Sequence, residues 1–253
     1  MQTKSANPAM TRGYLVREFQ RIGIEKGMTL EVHSSLSSFG YVEGGAQTVI
    51  AALKEAVGED GSIFMPSLRL SGDLPLSDED KRMGILRKIR ILPENRTKTA
   101  MGAVADAFRM LPDTLTGGGV MQISGWGKHA DEAVSGGLDF ALHHGGKGLL
   151  LGVDIYKLTA MHYAEMYLPE EIRAIFAPSE EVNKKYPPEE WFIETGCPPA
   201  AAWYTIQDMA LQKGMIKTDR IGGCDVMFFD LYGVVSIYEE QLRTRPFELY
   251  GLR

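Results

Sequence analysis

Residues 28–66 constrain the fold more than any other part of the chain. Met28, Leu30 and Val32 mark a short strand that empties into His33-Ser34-Ser35-Leu36-Ser37-Ser38-Phe39-Gly40. Gly44 and Gly45 then open a helical pattern with Val49, Ile50, Leu53 and Val57 on one stripe, and Gly58 stops it. Residues 62–65 form a second brief apolar run, ended by Pro66. Two strands joined through a helix pair in parallel, and a parallel sheet is covered by helices on both faces. The expected class is α/β, with a mainly parallel central sheet.

The rest of the chain extends this plan. Residues 13–24 carry Tyr14, Leu15, Phe19 and Ile22 at helical spacing. Residues 72–96 are rich in Asp, Lys and Arg without a sustained period, and read as a long surface loop. Helical spacing returns over 101–108, and a strand is expected over 120–124. Gly148-Leu149-Leu150-Leu151-Gly152-Val153 is the strongest buried-strand pattern, followed by a helix over 159–167. Prolines and charges make 169–203 an irregular excursion. A helix (205–213), a turn at Gly214, a strand (224–229) and a helix (231–242) close a single domain spanning 1–253.

Composition removes several functional classes. A chain that is 44% hydrophobic and 24% charged is an ordinary globule, not a disordered one. Its net charge of −6 argues against a nucleic-acid partner and suits a cationic small substrate. Cys197 and Cys224 show no metal spacing and no disulfide framework. The first residues lack a signal-peptide core, and no apolar run approaches the ~18 residues of a membrane span. A cytoplasmic protein is expected. The sequence contains no GxGxxG, no GxxxxGK[ST] and no Gly-x-Ser-x-Gly, so dinucleotide, P-loop and serine-hydrolase readings have no anchor.

Two segments carry candidate chemistry. Thr159, His162 and Glu165 recur every three residues directly after the buried strand, where ligands of parallel sheets gather. A carboxylate one turn from an imidazole fixes its tautomer and leaves the other nitrogen to accept a proton. The Thr159 hydroxyl could serve a developing oxyanion. The same spacing also serves a capping threonine and a solvated ion pair. The second segment is the serine-rich run from His33 to Gly40, whose turns suit backbone amides aimed at a ligand, or simply a polar turn feeding a helix. His143 and His144 are adjacent and point apart, with no third ligand at metal spacing, so no metal is expected.

Together these segments resemble the aminoglycoside 3-N-acetyltransferase family. The resemblance runs through the His33–Gly40 run with Gly44-Gly45-Ala46, Met65-Pro66, Thr99-Ala100-Met101-Gly102-Ala103, Leu149-Leu150-Leu151-Gly152-Val153 and the stretch from Thr159 to Glu165. It implies transfer of an acetyl group from acetyl-CoA to an amine, without a metal. His162 would be the general base, Glu165 its orienting carboxylate and Thr159 the oxyanion donor. His33, Ser34, Ser35, Leu36, Phe39, Gly40, Thr99 and Met101 would line the coenzyme channel. The chain departs from the family pattern at residues 120–124, where a His-Pro pair is absent, and at Leu158 and Ala160. Acetylation of a different small amine, or silent CoA binding, are the alternatives. The acidic pairs Glu170-Glu171, Glu180-Glu181 and Glu189-Glu190 are candidate walls for a cationic acceptor.

Overall fold

The computed structural model describes residues 10–195 and 200–252. Its strands are β1 (Thr29–Ser34), β2 (Ser62–Pro66), β3 (Leu70–Asp73), β4 (Ile85–Ile91), β5 (Leu115–Thr116), β6 (Ile123–Gly127), β7 (Lys147–Leu151), β8 (Trp191–Thr195), β9 (Ile216–Ile221) and β10 (Cys224–Asp230). Its helices are α1 (Arg12–Ile22), α2 (Gly45–Val57), α3 (Asp78–Arg82), α4 (Ala103–Arg109), α5 (Ala130–Gly136), α6 (Asp139–His143), α7 (Met161–Ala164), α8 (Glu170–Phe176), α9 (Glu180–Lys185), α10 (Ala200–Gln212), α11 (Leu231–Thr244) and α12 (Pro246–Leu249). No helix among the described residues is long and apolar enough to cross a membrane.

A seven-stranded sheet in the order β5-β6-β2-β1-β7-β10-β9 forms the centre. The class is α/β, as expected, and its parallel character resides in the trio β2-β1-β7. The strands on either flank run antiparallel. Side chains alternate across a strand, so each face of the sheet collects its own core. Leu30, Val32, Leu149 and Leu151 pack with Leu15 and Phe19 of α1, Leu53 of α2 and Phe108 of α4. Leu150, Phe64 and Phe229 pack on the other face, with Met161 of α7, Ile206 of α10 and Val235 of α11. The alternation places Glu31 and His33 of β1 on this second face. Local signals end the elements as the residues dictate: Thr11 caps α1 by accepting Tyr14 N–H at 3.3 Å, and Gly23 closes it in the left-handed region.

Two expectations are corrected. Residues 72–96 are not a structureless loop, and 169–203 is not irregular throughout its described residues. β3 and β4 from the first segment pair with β8 from the second in a three-stranded antiparallel sheet. A register shift between Ile85 and Arg87 breaks the period-two pattern, which hides β4 in the sequence. The strand expected over 120–124 lies at Ile123–Gly127, paired with β2. The helix expected over 159–167 is one α-helical turn, α7, continued by a 3-10 turn at Glu165–Tyr167. The helix expected at 205–213 begins earlier, at Ala200.

Candidate active site

The carboxyl ends of β1 and β7 lie side by side, with His33 paired to Leu150 and Ser34 to Leu151. The chain leaving β7 passes through a short 3-10 turn (Ile155–Lys157) and enters α7. Thr159 and His162 therefore stand at the mouth of the parallel trio, and His162 N–H donates to Thr159 O at 3.1 Å. His162 Nδ1 lies 2.8 Å from Glu165 Oε2, so the carboxylate holds Nδ1 protonated and Nε2 is the nitrogen able to accept. The His162 side chain is 59% exposed and the Glu165 side chain 22%. Trp203 of α10 presents a ring 4.8 Å from the imidazole in an edge arrangement. Partial burial disfavours the charged imidazole, but the Glu165 hydrogen bond and the negative charges of Glu165, Glu31 and Glu194 outweigh it. The His162 pKa is raised above its ordinary value.

Below this turn sits a second carboxylate. Glu31 is fully buried; its Oε1 accepts Ala160 N–H at 3.2 Å and lies 2.7 Å from His33 Nε2. The His33 ring is thus engaged under α7 rather than lining the loop that follows it. That loop continues as a 3-10 turn over Leu36–Phe39. Ser35 N–H donates to Leu151 O at 2.8 Å, and Ser38 Oγ donates to Ser35 O at 2.7 Å. Phe39 is buried in the core, whereas a side chain built at Gly40 or Gly45 would meet only open space. Thr99 and Met101 reach the same region, because Gly102 lies against Ser34 O. Thr99 Oγ1 is already committed: it donates to Asp106 Oδ1 and accepts Met101 N–H, bracing the start of α4.

The second sheet supplies a wall that the sequence did not reveal. Arg87 of β4 donates to Asp73 Oδ1 at 2.9 Å, to Glu194 Oε1 at 3.1 Å and to Tyr156 Oη at 2.9 Å. Burial pushes the Glu194 carboxyl up, against the pull of Arg87, and Glu194 Oε2 has no hydrogen-bond partner. Tyr204 donates to Asp154 Oδ2 at 2.9 Å nearby in the chain's path after β7. Glu170, Glu171, Glu180 and Glu181 instead occupy the first turns of α8 and α9, and Glu190 pairs with Arg90 at 2.9 Å. Among the described residues no three His, Cys, Asp or Glu side chains cluster as a metal site. His143 lies 3.6 Å from Asp139, and His144 stacks on Phe140. Cys224 is a free, buried thiol, and Cys197 lies outside the described residues.

The model of the aminoglycoside 3-N-acetyltransferase family matches residues 32–243, most of the chain. The chain belongs to the aminoglycoside 3-N-acetyltransferase family. It is an acyltransferase of that family. Over 261 aligned residues it is 31% identical to the SPbeta prophage-derived aminoglycoside N(3')-acetyltransferase-like protein YokD of Bacillus subtilis (strain 168), covering 91% of either protein. The crystal structure of YokD superposes with a TM-score of 0.72 at 23% identity over 96% of both chains. The acetyltransferase AAC(3)-IVa, solved as a histidine-to-alanine mutant in complex with gentamicin, gives 0.73 at 18% identity over 96% of this chain and 92% of its own. AAC-IIIb, solved with CoASH, gives 0.68 at 18% identity over 93% and 97%. At these identities the superpositions show a shared fold.

Within this acetyltransferase fold, sequence reasoning missed Glu31, Trp203, Glu194 and Arg87. Glu31 did leave a signal: a carboxylate alternating with Leu30 and Val32 in a central strand is out of place unless it has a task. The other three had none, because each depends on the second sheet or on where α10 begins.

Proposed function

We propose that this enzyme transfers the acetyl group of acetyl-CoA to the 3-amino group of an aminoglycoside by direct attack, in the cytoplasm. The observation that carries the reading is the His162–Glu165 hydrogen bond of 2.8 Å at the end of β7, which leaves His162 Nε2 to act. Acetyl-CoA supplies an activated thioester. Its slender pantetheine arm would lie along Ser34, Ser35, Leu36, Gly40 and the Thr99–Gly102 bend, where a side chain at Gly40 or Gly45 would meet open space. Phe39 anchors this loop in the core.

An ammonium cannot attack a thioester, so the proton must leave before the carbon–nitrogen bond forms. His162 Nε2 accepts it, and Glu165 stabilises the resulting imidazolium through Nδ1. As the new bond forms and the carbon–sulfur bond breaks, the thiolate leaves and takes up a proton from the imidazolium. The Thr159 hydroxyl, which makes no hydrogen bond among the described residues, would donate to the transient oxyanion. Glu194, Asp73 and Asp154 place carboxylates on the acceptor side, which suits a polycationic substrate.

A thiol-release assay with acetyl-CoA and a panel of aminoglycosides tests the reading, with product regiochemistry read by NMR. Acetyl-CoA-dependent thiol release and a 3-N-acetyl product are expected. Release only with non-aminoglycoside amines would replace the acceptor, and no release with any amine would leave a silent CoA binder.

A further inference from the structure

Two carboxylates approach the turn that carries His162, and the mechanism above uses only Glu165. The other, Glu31, lies in β1 at the middle of the parallel trio and is wholly buried. An ionised side chain there is costly unless it is paired and hydrogen-bonded. Oε1 gathers both of its interactions, one to His33 Nε2 at 2.7 Å and one from Ala160 N–H at 3.2 Å, while Oε2 has no partner. Thr159 N–H also approaches His33 Nε2, at 3.3 Å. One nitrogen cannot donate to Glu31 and accept from Thr159 at once. The shorter contact decides: Nε2 carries the hydrogen and donates it to Glu31, and the Thr159 contact is a long, weak approach.

The consequence is a grip from strand to helix. Glu31 holds the amide of Ala160, two residues before His162, and His33 holds Glu31. His162 N–H in turn rests on Thr159 O at 3.1 Å. We propose that Glu31 and His33 form a positioning pair for the catalytic base, in which Glu31 fixes the turn that carries His162 and adds a negative charge to the surroundings of that base. This rests on His162 being the base. The largest charge effects on His162 come from Glu165 of its own segment, Glu31 of β1 and Glu194 of β8, and Trp203 of α10 packs an uncharged ring edge against the imidazole. All three carboxylates favour the imidazolium. Glu31 acts through the base and touches neither the acceptor nor the thioester.

The variant Glu31→Gln keeps an oxygen for Ala160 N–H and removes the charge. The first readout is the His162 ring titration by NMR in the free enzyme, its resonance identified by loss in His162→Ala. The second is the pH profile of kcat/KM. The titration midpoint and the acidic limb are expected to fall together, by roughly half to one pH unit, because loss of a nearby anion lowers a histidine pKa. Turnover is expected to fall about tenfold with KM for acetyl-CoA unchanged, as for a slightly misplaced catalytic group. Glu31→Asp keeps the charge on a shorter arm that cannot reach Ala160, so turnover should fall while the midpoint stays. A folded Glu31→Gln enzyme with unmoved midpoint and full turnover overturns the proposal. If Glu31→Gln does not fold, full turnover in Glu31→Asp overturns it as well. Retained turnover in His162→Ala would instead remove the base assignment, a separate result, since the NMR midpoint reads Glu31 without any activity.

Discussion

Arg87 of β4 donates to the phenol oxygen of Tyr156 at 2.9 Å, and this bond joins the second sheet to the segment leaving β7. The same guanidinium holds Asp73 and Glu194, so the acidic wall near His162 is fixed by one cation. Glu194→Gln should therefore raise KM for a polycationic acceptor about three- to tenfold and leave KM for acetyl-CoA alone. Added salt should raise the acceptor KM of the native enzyme, and less so in the variant. An acceptor KM indifferent to both changes would remove this wall from recognition.

Replacing His162 by alanine should lower kcat by ~10²–10⁴-fold, the usual value of general-base assistance. Affinity for CoA, measured by calorimetry, should be largely retained because the imidazole serves the acceptor.

Glu165→Gln should cost less, since a hydrogen-bond partner for Nδ1 remains. The carboxylate is a principal cause of the raised His162 pKa. Its loss lowers that pKa, and the acidic limb of kcat/KM should move to lower pH. An upward movement would contradict the pairing.

Ser35→Trp probes the donor side. Ser35 joins its loop to β7 through a backbone bond to Leu151 O, which the substitution leaves intact, while its hydroxyl meets only Ser37 Oγ at 3.1 Å. The bulky ring should weaken CoA binding without loss of helical circular dichroism. Unchanged affinity would exclude the loop as the channel.

Asp80 staples the second sheet. It is buried and receives Lys88 Nζ at 2.6 Å, Tyr186 Oη at 2.5 Å and Ser77 N–H at 2.9 Å. Desolvation opposes its charge, yet these bonds prevail and hold the carboxyl well below the usual carboxylate range. A depressed carboxylate pKa contributes stability that is complete above the unfolded value of ~4 and is lost as pH falls below it. Asp80→Asn should destabilise the protein by roughly 1–3 kcal/mol in urea at pH 7, with a smaller difference near pH 3. A difference independent of pH would refute the charge argument.

The parts of the candidate site that lie close together in sequence were legible. The strand, the serine loop and the Thr159–His162–Glu165 spacing all lie within short contiguous stretches governed by period and turn chemistry. The wall built on the second sheet was not. Ile89 and Ile91 alternate with Lys88 and Arg90, but the shift at Ile85 and Arg87 interrupts the pattern before it can be counted. β9 hides for another reason: an edge strand with only Ile216 and Ile221 buried looks polar throughout. The pairing of β4 with β8 joins segments remote in sequence, which no window can see.

That remoteness has a kinetic side. Only β1 and β2 close over a short crossover, Leu30 pairing with Ile63; Leu30 of β1 waits for Lys147 of β7, and Arg87 of β4 for Glu194 of β8, each more than a hundred residues downstream, and closing such long loops is entropically slow. The β1–α2–β2 unit should therefore form first, and the turn that carries His162 should take its place only once the late, long-range pairings of β7 and of the second sheet are made.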